Sequence, residues 1–446
     1  KDWWKSFKSA ELNTLMTQAL SYNNDLAAAL ARVDQARGLA KAAGAPLFPS
    51  VDGGAGLTYD RTDPEKGKTT SVNAGTAGLS VGYELDLFGK NRAAAESASA
   101  DVESATFTKD ATALVVMSEV AKGYFNVLNL QERLSIADQN VESATELLRI
   151  VQARFDAGAT TQLDVSQQKA DLANTQASRA TVELQLKTAR NALAVLVGKT
   201  PQSFSLAGKE LRSVSVPDIA PGQPSTLLER RPDIAAAEAD LRAANADIGV
   251  ARAAFFPDVT LGLDWTIASS SLGDPASTAL ALASSLTAPI FKGGLLEGNL
   301  LFSKARKAEL LETYRKSVLT SFKDVENALA GVKASQSREN SLAVALTESR
   351  KAYDLSKQQY DVGSIDFQRL LDARRTMLAA EDGYIQTKND RLASAVDLYK
   401  SLGGGWVSES QLRVKRENDR AIITQKVVEP TPIAPSAAPA AKPANQ

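Results

Sequence analysis

The chain has 446 residues, with 51 basic against 52 acidic side chains and a net charge of -1, which leaves no general attraction to nucleic acid. It contains no histidine and no cysteine, which excludes the usual zinc ligand sets, Ser-His-Asp and Cys-His nucleophiles, iron–sulfur sites and disulfides, so neither an enzyme nor a cofactor is expected. No run of about 18 apolar residues is present, so no transmembrane helix is predicted, although the alternating strands of a β-barrel leave no such run.

The start at Lys1-Asp2-Trp3-Trp4 shows no signal-peptide pattern and reads as a processed start. Trp3, Trp4, Phe7, Leu12 and Leu15 are expected to form a short helix packing on longer ones. Residues 26–45 are Ala-rich with interspersed charge and no internal proline until the corner, and predict a helix of about 20 residues. After Phe48-Pro49 the pattern changes to a period of two. A Gly-rich strand is predicted at about 50–60, and a second at about 72–88 with Leu79, Val81, Tyr83, Leu85 and Leu87 against Ser80, Gly82, Glu84 and Asp86.

From Lys90 to Asp156 no proline occurs, and Val120, Val127, Leu134, Val141, Leu148 and Phe155 repeat in sevens. This is a coiled-coil heptad, and at about 1.5 Å per residue it makes a rod of roughly 100 Å. The rod turns at Gly158 and returns as a shorter helix through Leu172, Leu186 and Leu193. A linker rich in Pro and Gly follows at 199–230, with a short helix expected near Thr226–Arg230.

The same order then recurs. A helix is predicted at 233–254, started by Arg231-Pro232-Asp233, then strands at about 257–268 and 278–290, a rod at 294–361, a turn at Gly363 and a returning helix through Leu371, Leu378, Ile385, Leu392 and Tyr399. Asp25 to Val51 overlays Asp233 to Val259 without a gap at an offset of 208, and Phe155-Asp156-Ala157-Gly158 overlays Tyr360-Asp361-Val362-Gly363 at 205. A period this long is a duplicated half-domain and not a solenoid. The organisation is therefore a first repeat at 1–198, an equatorial linker at 199–230, a second repeat at 231–406, and a segment at 407–446 whose Pro/Ala-rich end is expected to be disordered. In each repeat the short and returning helices together nearly match the rod, so they are expected to stack end to end beside it.

Strands fit for a bilayer joined to rods of about 100 Å describe a conduit more than a cleft. Four strands cannot close a barrel, but three copies supply twelve. The strand faces agree: Leu, Val, Tyr and Trp toward lipid, and Glu84, Asp86 and Asp264 toward a wet lumen. Two other readings start from the same residues. A soluble coiled-coil scaffold accounts for the heptads and leaves the strands unexplained; a carboxylate enzyme such as a glycoside hydrolase needs two acids across a cleft that nothing here builds.

Several marks occur together and in order: Glu84-Leu85-Asp86-Leu87-Phe88-Gly89, Arg231-Pro232-Asp233-Ile234, Ala251-Arg252-Ala253-Ala254-Phe255-Phe256-Pro257, Leu371-Asp372-Ala373-Arg374, and Leu402-Gly403-Gly404-Gly405-Trp406. In these the chain resembles the TolC-type outer-membrane factors, most closely the lipoprotein branch serving resistance-nodulation-division efflux pumps. The resemblance implies a mainly α-helical chain with a β-barrel part. As a homotrimer it forms a 12-stranded outer-membrane barrel and a periplasmic helical barrel with a small mixed equatorial region. It further implies a passive export duct for drugs or other small toxic compounds. The implied partners are a periplasmic adaptor, an inner-membrane transporter and outer-membrane lipid, with a lipidated cysteine upstream of this sequence. Within the family the alternative is a duct for type I secretion or metal efflux.

The resemblance also places a gate at the periplasmic tip. By motif position its candidates are Tyr360, Asp372 and Arg375, with Asp361 and Asp366 nearby, and Gln368 stands where an apolar constriction is usual. Independently of family, three copies of one carboxylate about an axis repel one another and favour cations. The plainer reading is that Asp361 and Asp366 cap or solvate the turn and Asp372 pairs locally.

Overall fold

The computed structural model describes residues 2–63, 65, 67, 69–208, 211, 214–217, 231–269 and 275–405. In chain order the elements are α1 (Ala10–Tyr22), α2 (Asn24–Gly44), β1 (Ser50–Thr62), β2 (Thr70–Leu85), α3 (Lys90–Asp156), α4 (Gln162–Leu196), α5 (Pro232–Ala253), β3 (Asp258–Ser269), β4 (Ser277–Thr287), α6 (Leu295–Asp361) and α7 (Phe367–Ser401). The expected helix near 226–230, the hairpin tip at 270–274, Trp406 and the tail at 407–446 lie outside the described residues. Among the described residues no helix is long and apolar enough to cross a membrane.

The two rods, α3 and α6, contain 67 residues each, about 100 Å at ~1.5 Å per residue. Beside them the short helices do stack end to end on the returning ones. Asn23 caps α2 through the Leu26 N–H at 3.0 Å while its Nδ2 donates to the Leu196 carbonyl at the end of α4, 2.9 Å away. One side chain thus closes the gap between two helix ends, whose backbone groups would otherwise lack partners. In the second repeat Arg231 bridges the matching junction without capping the backbone of α5. It donates to Asp233 at 3.0 and 2.7 Å and to the Ser401 carbonyl of α7 at 3.4 Å, which explains the Arg-Pro-Asp start of α5. At Gly198 the chain passes so close to Tyr22 that a Cβ would stand 2.3 Å from its carbonyl oxygen, and φ is +71°.

Midway along the rods lies the largest apolar core. Trp3 stacks on Tyr399 with ring centroids 5.3 Å apart, and Phe7, Leu12 and Met16 are buried against Tyr124, Phe125 and Leu128 of α3, Leu193 of α4, and Leu392 and Val396 of α7. The expected N-terminal helix is divided here into a 3-10 turn at Trp3–Phe7 and α1, with Lys8 in left-handed conformation between them. Away from this belt the heptad stripe is only partly covered. Val120 and Val127 are buried, whereas Leu134, Val141 and Leu148 are half-buried, and on α6 Leu301, Phe302, Leu319, Val344 and Leu355 are exposed. A rod with that much apolar surface in view is built to meet further helices.

The four strands form one antiparallel sheet in the order β1-β2-β3-β4. The central pair joins the two repeats, setting Leu79 opposite Trp265, Val81 opposite Leu263 and Tyr83 opposite Leu261. β2 stops at Leu85, short of the expected 88, because Asp86 turns out to receive the first N–H groups of α3. β4 stops at Thr287, short of the expected 290, where Pro289 supplies no donor for a ladder.

Candidate functional site: the hairpin tips and the sheet faces

Both rods end in the same turn. Gly158 donates to the Phe155 carbonyl at 2.9 Å and Ala159 to that of Arg154 at 2.8 Å; Gly363 donates to the Tyr360 carbonyl at 3.0 Å and Ser364 to that of Gln359 at 2.9 Å. Each turn needs the positive φ that Gly158 (+74°) and Gly363 (+75°) supply.

The helices that leave these turns are capped differently. Thr161 and Asp164 form a capping box at α4, in which burial pushes the Asp164 carboxyl up but hydrogen bonds from Thr160 and Thr161 outweigh it and hold it low. Asp366 alone caps α7, accepting the Arg369 N–H at 2.9 Å.

The gate candidates fall into three groups in this structure. Tyr360 is buried, its ring packed against Phe367 with centroids 5.6 Å apart and the Arg154 guanidinium 4.5 Å over its face. Burial pushes the Tyr360 phenol up against the pull of Arg154, so it stays neutral near neutral pH. Asp366 serves as a cap. Asp361, Gln368, Asp372 and Arg375 stand exposed: Gln368 donates to Asp372 at 3.1 Å, Arg375 lies 3.9 Å from Asp372, and Asp361 lies 3.9 Å from Arg154.

Two connections between the repeats went unseen in the sequence. Arg154 of the first tip donates to the backbone carbonyls of Tyr360 and Asp361 in the second, each at 3.3 Å. Arg374 of α7 is buried and donates to Asp171 of α4 at 2.6 Å and to the Asn140 carbonyl of α3 at 2.9 Å, while Arg375 reaches the other oxygen of Asp171 at 3.8 Å. A signal was available for Arg374. Phe367, Leu370, Leu371 and Arg374 are spaced as one apolar face of a helix, and a charge on such a face needs a buried partner.

At the other end of the rods the sheet presents two unlike faces. Leu79, Val81 and Tyr83 of β2, Leu261, Leu263 and Trp265 of β3, and Leu280, Leu282 and Leu286 of β4 share one face by register. The opposite face carries Gly, Ser, Thr and Asp264, which is exposed in mid-strand opposite Ser80 and Ala281. Glu84 lies on the same polar face at its lower end, where Lys90 bridges it to Asp258 with 2.8 Å to each. Asp86 stands beyond β2. Its carboxylate accepts from the N–H groups of Asn91 and Arg92 at 3.1 and 2.9 Å, so it caps α3 instead of facing a lumen within the sheet.

This arrangement recurs in known proteins. The family described as "Outer membrane efflux protein" matches residues 15–199 and 223–404. The pyoverdine export outer membrane protein OpmQ of Pseudomonas aeruginosa is 38% identical over 421 residues, covering 92% of this chain and 89% of OpmQ. The Campylobacter jejuni outer membrane channel CmeC superposes with a TM-score of 0.86 at 27% identity, covering 93% of this chain and 91% of its own. The open state of the Neisseria gonorrhoeae outer membrane channel MtrE superposes with a TM-score of 0.80 at 31% identity, covering 89% of each chain. These matches correct the narrower resemblance: they carry the family as a whole and not its lipoprotein branch, and the 446 residues contain no cysteine to mark that branch.

Proposed function

The chain belongs to the outer membrane efflux protein family, and on that premise we propose that it is the passive, trimeric duct of a tripartite pump exporting drugs or other small toxic compounds. It is a channel component of the outer membrane that extends into the periplasm, and not an enzyme. Three chains close a 12-stranded barrel from their four-stranded sheets, and their rods enclose the periplasmic part of the tunnel. A periplasmic adaptor joins this tunnel to an inner-membrane transporter of the resistance-nodulation-division type, which supplies the energy. The observation that carries the reading is a sheet with one apolar and one polar face, mounted on rods of about 100 Å.

Within this duct the exposed Asp372, with Asp361, Arg375 and Gln368, forms the periplasmic gate, and Tyr360 is the buried pivot that fixes the helix carrying it. Asp366 contributes by capping that helix. Asp264 and Glu84 set the charge of the barrel lumen, with Asp86 at its lower rim. The two repeats at 1–198 and 231–406, joined by the linker at 199–230, are intertwined into one unit.

A second cargo is favoured by one observation, the 38% identity to a pyoverdine export protein: a secreted metabolite of that kind. Deleting the gene and complementing it, while measuring susceptibility to drugs, bile salts and metal ions and the amount of such a metabolite outside the cell, tests both readings. Unchanged susceptibility and unchanged export, in a strain with no other duct of the family, overturn the function proposed.

A further inference from the structure

The rods carry two separate apolar cores. The belt core reaches as far as Leu134, Val182 and Leu186, and a second lies at the tips around Leu147, Val165 and Leu371. Between the two, α4 and α7 both pack on α3 and leave a groove of about 620 Å³, which is the size of a small-molecule site.

The lining of this groove is amphipathic. Ile136 of α3, Val182 of α4, and Leu378 and Ile385 of α7 give it apolar surface, and the first three are only half-buried. Residues 375–385 of α7 border it over about 15 Å at ~1.5 Å per residue. On the α4 wall Thr175, Ser178 and Thr181 donate their hydroxyl protons to carbonyls four residues back, at 2.8, 2.9 and 3.1 Å. Those hydroxyls therefore offer lone pairs, and not protons, to anything in the groove.

Three guanidiniums here serve two carboxylates. Arg133 donates to Asp382 at 2.6 and 3.2 Å, and Arg374 donates to Asp171 at 2.6 Å, so two arginines and both acids of the groove are matched. Arg375, which also lines the groove, is left with longer ion contacts. It lies 3.8 Å from Asp171, already held by Arg374, and 3.9 Å from Asp372, whose side chain is 60% exposed. Both separations exceed hydrogen-bond length. A guanidinium with donors to spare beside an apolar trough complements a molecule with an anionic head and an apolar body.

We propose that this groove binds an amphipathic anion, a carboxylate or sulfonate carried on a ring system or chain. Arg375 pairs with the anionic head and supplies the donors that the wall hydroxyls lack, while Val182, Leu378 and Ile385 lie against the apolar body. The two matched ion pairs stay in place, so no buried charge has to be separated from its partner on binding. The site needs only the three helices of one chain and stands apart from the export reading.

Equilibrium dialysis of the full chain in lipid nanodiscs against radiolabelled cholate, with empty nanodiscs as the blank, tests the site. Saturable binding is expected, with the label displaced by taurocholate. Arg375→Gln should weaken binding about tenfold or more, the effect of losing one charge-assisted pair. Ala379→Trp fills the trough from α7 without removing a charge and should abolish binding. Both positions are exposed, so neither substitution disturbs the apolar cores. No saturable binding above the blank overturns the proposal, as does binding that is unchanged in both variants. Displacement of the label by dodecyltrimethylammonium at the concentrations at which taurocholate acts overturns the assignment to anions.

Discussion

Arg374 and Asp171 form a buried ion pair 2.6 Å long that ties the returning helix of one repeat to that of the other. The Arg374 side chain is 3% exposed and that of Asp171 12%, so removing Arg374 leaves the Asp171 carboxylate with only the longer 3.8 Å contact to Arg375, at a cost of up to about 3–5 kcal/mol. Arg374→Met is therefore expected to lower the temperature at which helix is lost, followed by circular dichroism in detergent. Arg374→Met combined with Asp171→Leu is expected to recover most of the loss, because no unpaired charge remains. A double variant as unstable as the single one would show that shape, not charge, makes the contact.

The tip itself should respond through conductance. Asp372→Ala with Tyr360→Phe is expected to raise single-channel conductance in planar bilayers, since it removes the exposed carboxylate and the buried hydroxyl together. Arg154→Ala is expected to act in the same direction by freeing the second tip from the first. It deletes a cation–π contact of about 0.5–2 kcal/mol and two donors to backbone carbonyls. Unchanged conductance in both variants would remove this cluster from the gate.

Acid should loosen the first tip only once the pH falls below the ordinary carboxylate range. The Asp164 carboxyl is held below its ordinary value by the Thr160 and Thr161 hydrogen bonds, which outweigh the opposing effect of burial. A depressed carboxyl stabilises the fold fully above the unfolded value of about 3.9 and loses that contribution as pH falls through the lower folded value. The first tip should thus keep its cap until the pH is below about 4. Asp164→Ala should weaken it at every pH, by about 0.5–2 kcal/mol before allowance for its solvent exposure, and should flatten its acid response. The rate of pepsin nicking at residues 157–165 between about pH 5 and pH 2 reads both effects.

Much of this architecture was legible because the repeat is written twice. The correspondence of Phe155-Asp156 with Tyr360-Asp361 already implied two rods of one length, and α3 and α6 both contain 67 residues. The strands were legible from alternation, but alternation does not say where a strand stops. Asp86 continues the polar phase of β2 and yet leaves the sheet, because the amides at the start of α3 offered its carboxylate better partners. The contacts of Arg154 and Arg374 were not legible for a different reason. Each acts on the other repeat, about 200 residues away along the chain, and one sequence read for local pattern does not display such pairs.

Gly198→Ala tests the end-to-end stacking of α4 and α2. The substitution forces an alanine into φ +71° and places its Cβ 2.3 Å from the Tyr22 carbonyl, whose backbone has little room to move beside the Asn23 cap. The expected cost is at least about 1–3 kcal/mol. It should appear as a lower unfolding temperature with conductance unchanged in the chains that fold. The same substitution at Gly158, where nothing stands within 4 Å, meets only the backbone cost and should be milder.

Adjacent residues of β3 should behave oppositely. Leu263 shares a face with Val81 and Leu282, whereas Asp264 lies on the other face opposite Ser80 and Ala281. If the first face meets lipid and the second water, Leu263→Arg should cost about 2–4 kcal/mol near the bilayer midplane and reduce the amount of folded trimer recovered from outer membranes. Asp264→Asn should leave that amount unchanged, because a wet lumen solvates the amide as well as the carboxylate. It should nevertheless lower the preference for cations, read as a smaller reversal potential across a salt gradient, since three copies of this carboxylate surround one path. Equal tolerance of both substitutions would mean that the two faces meet the same solvent, and the sheet would then not be part of a membrane barrel.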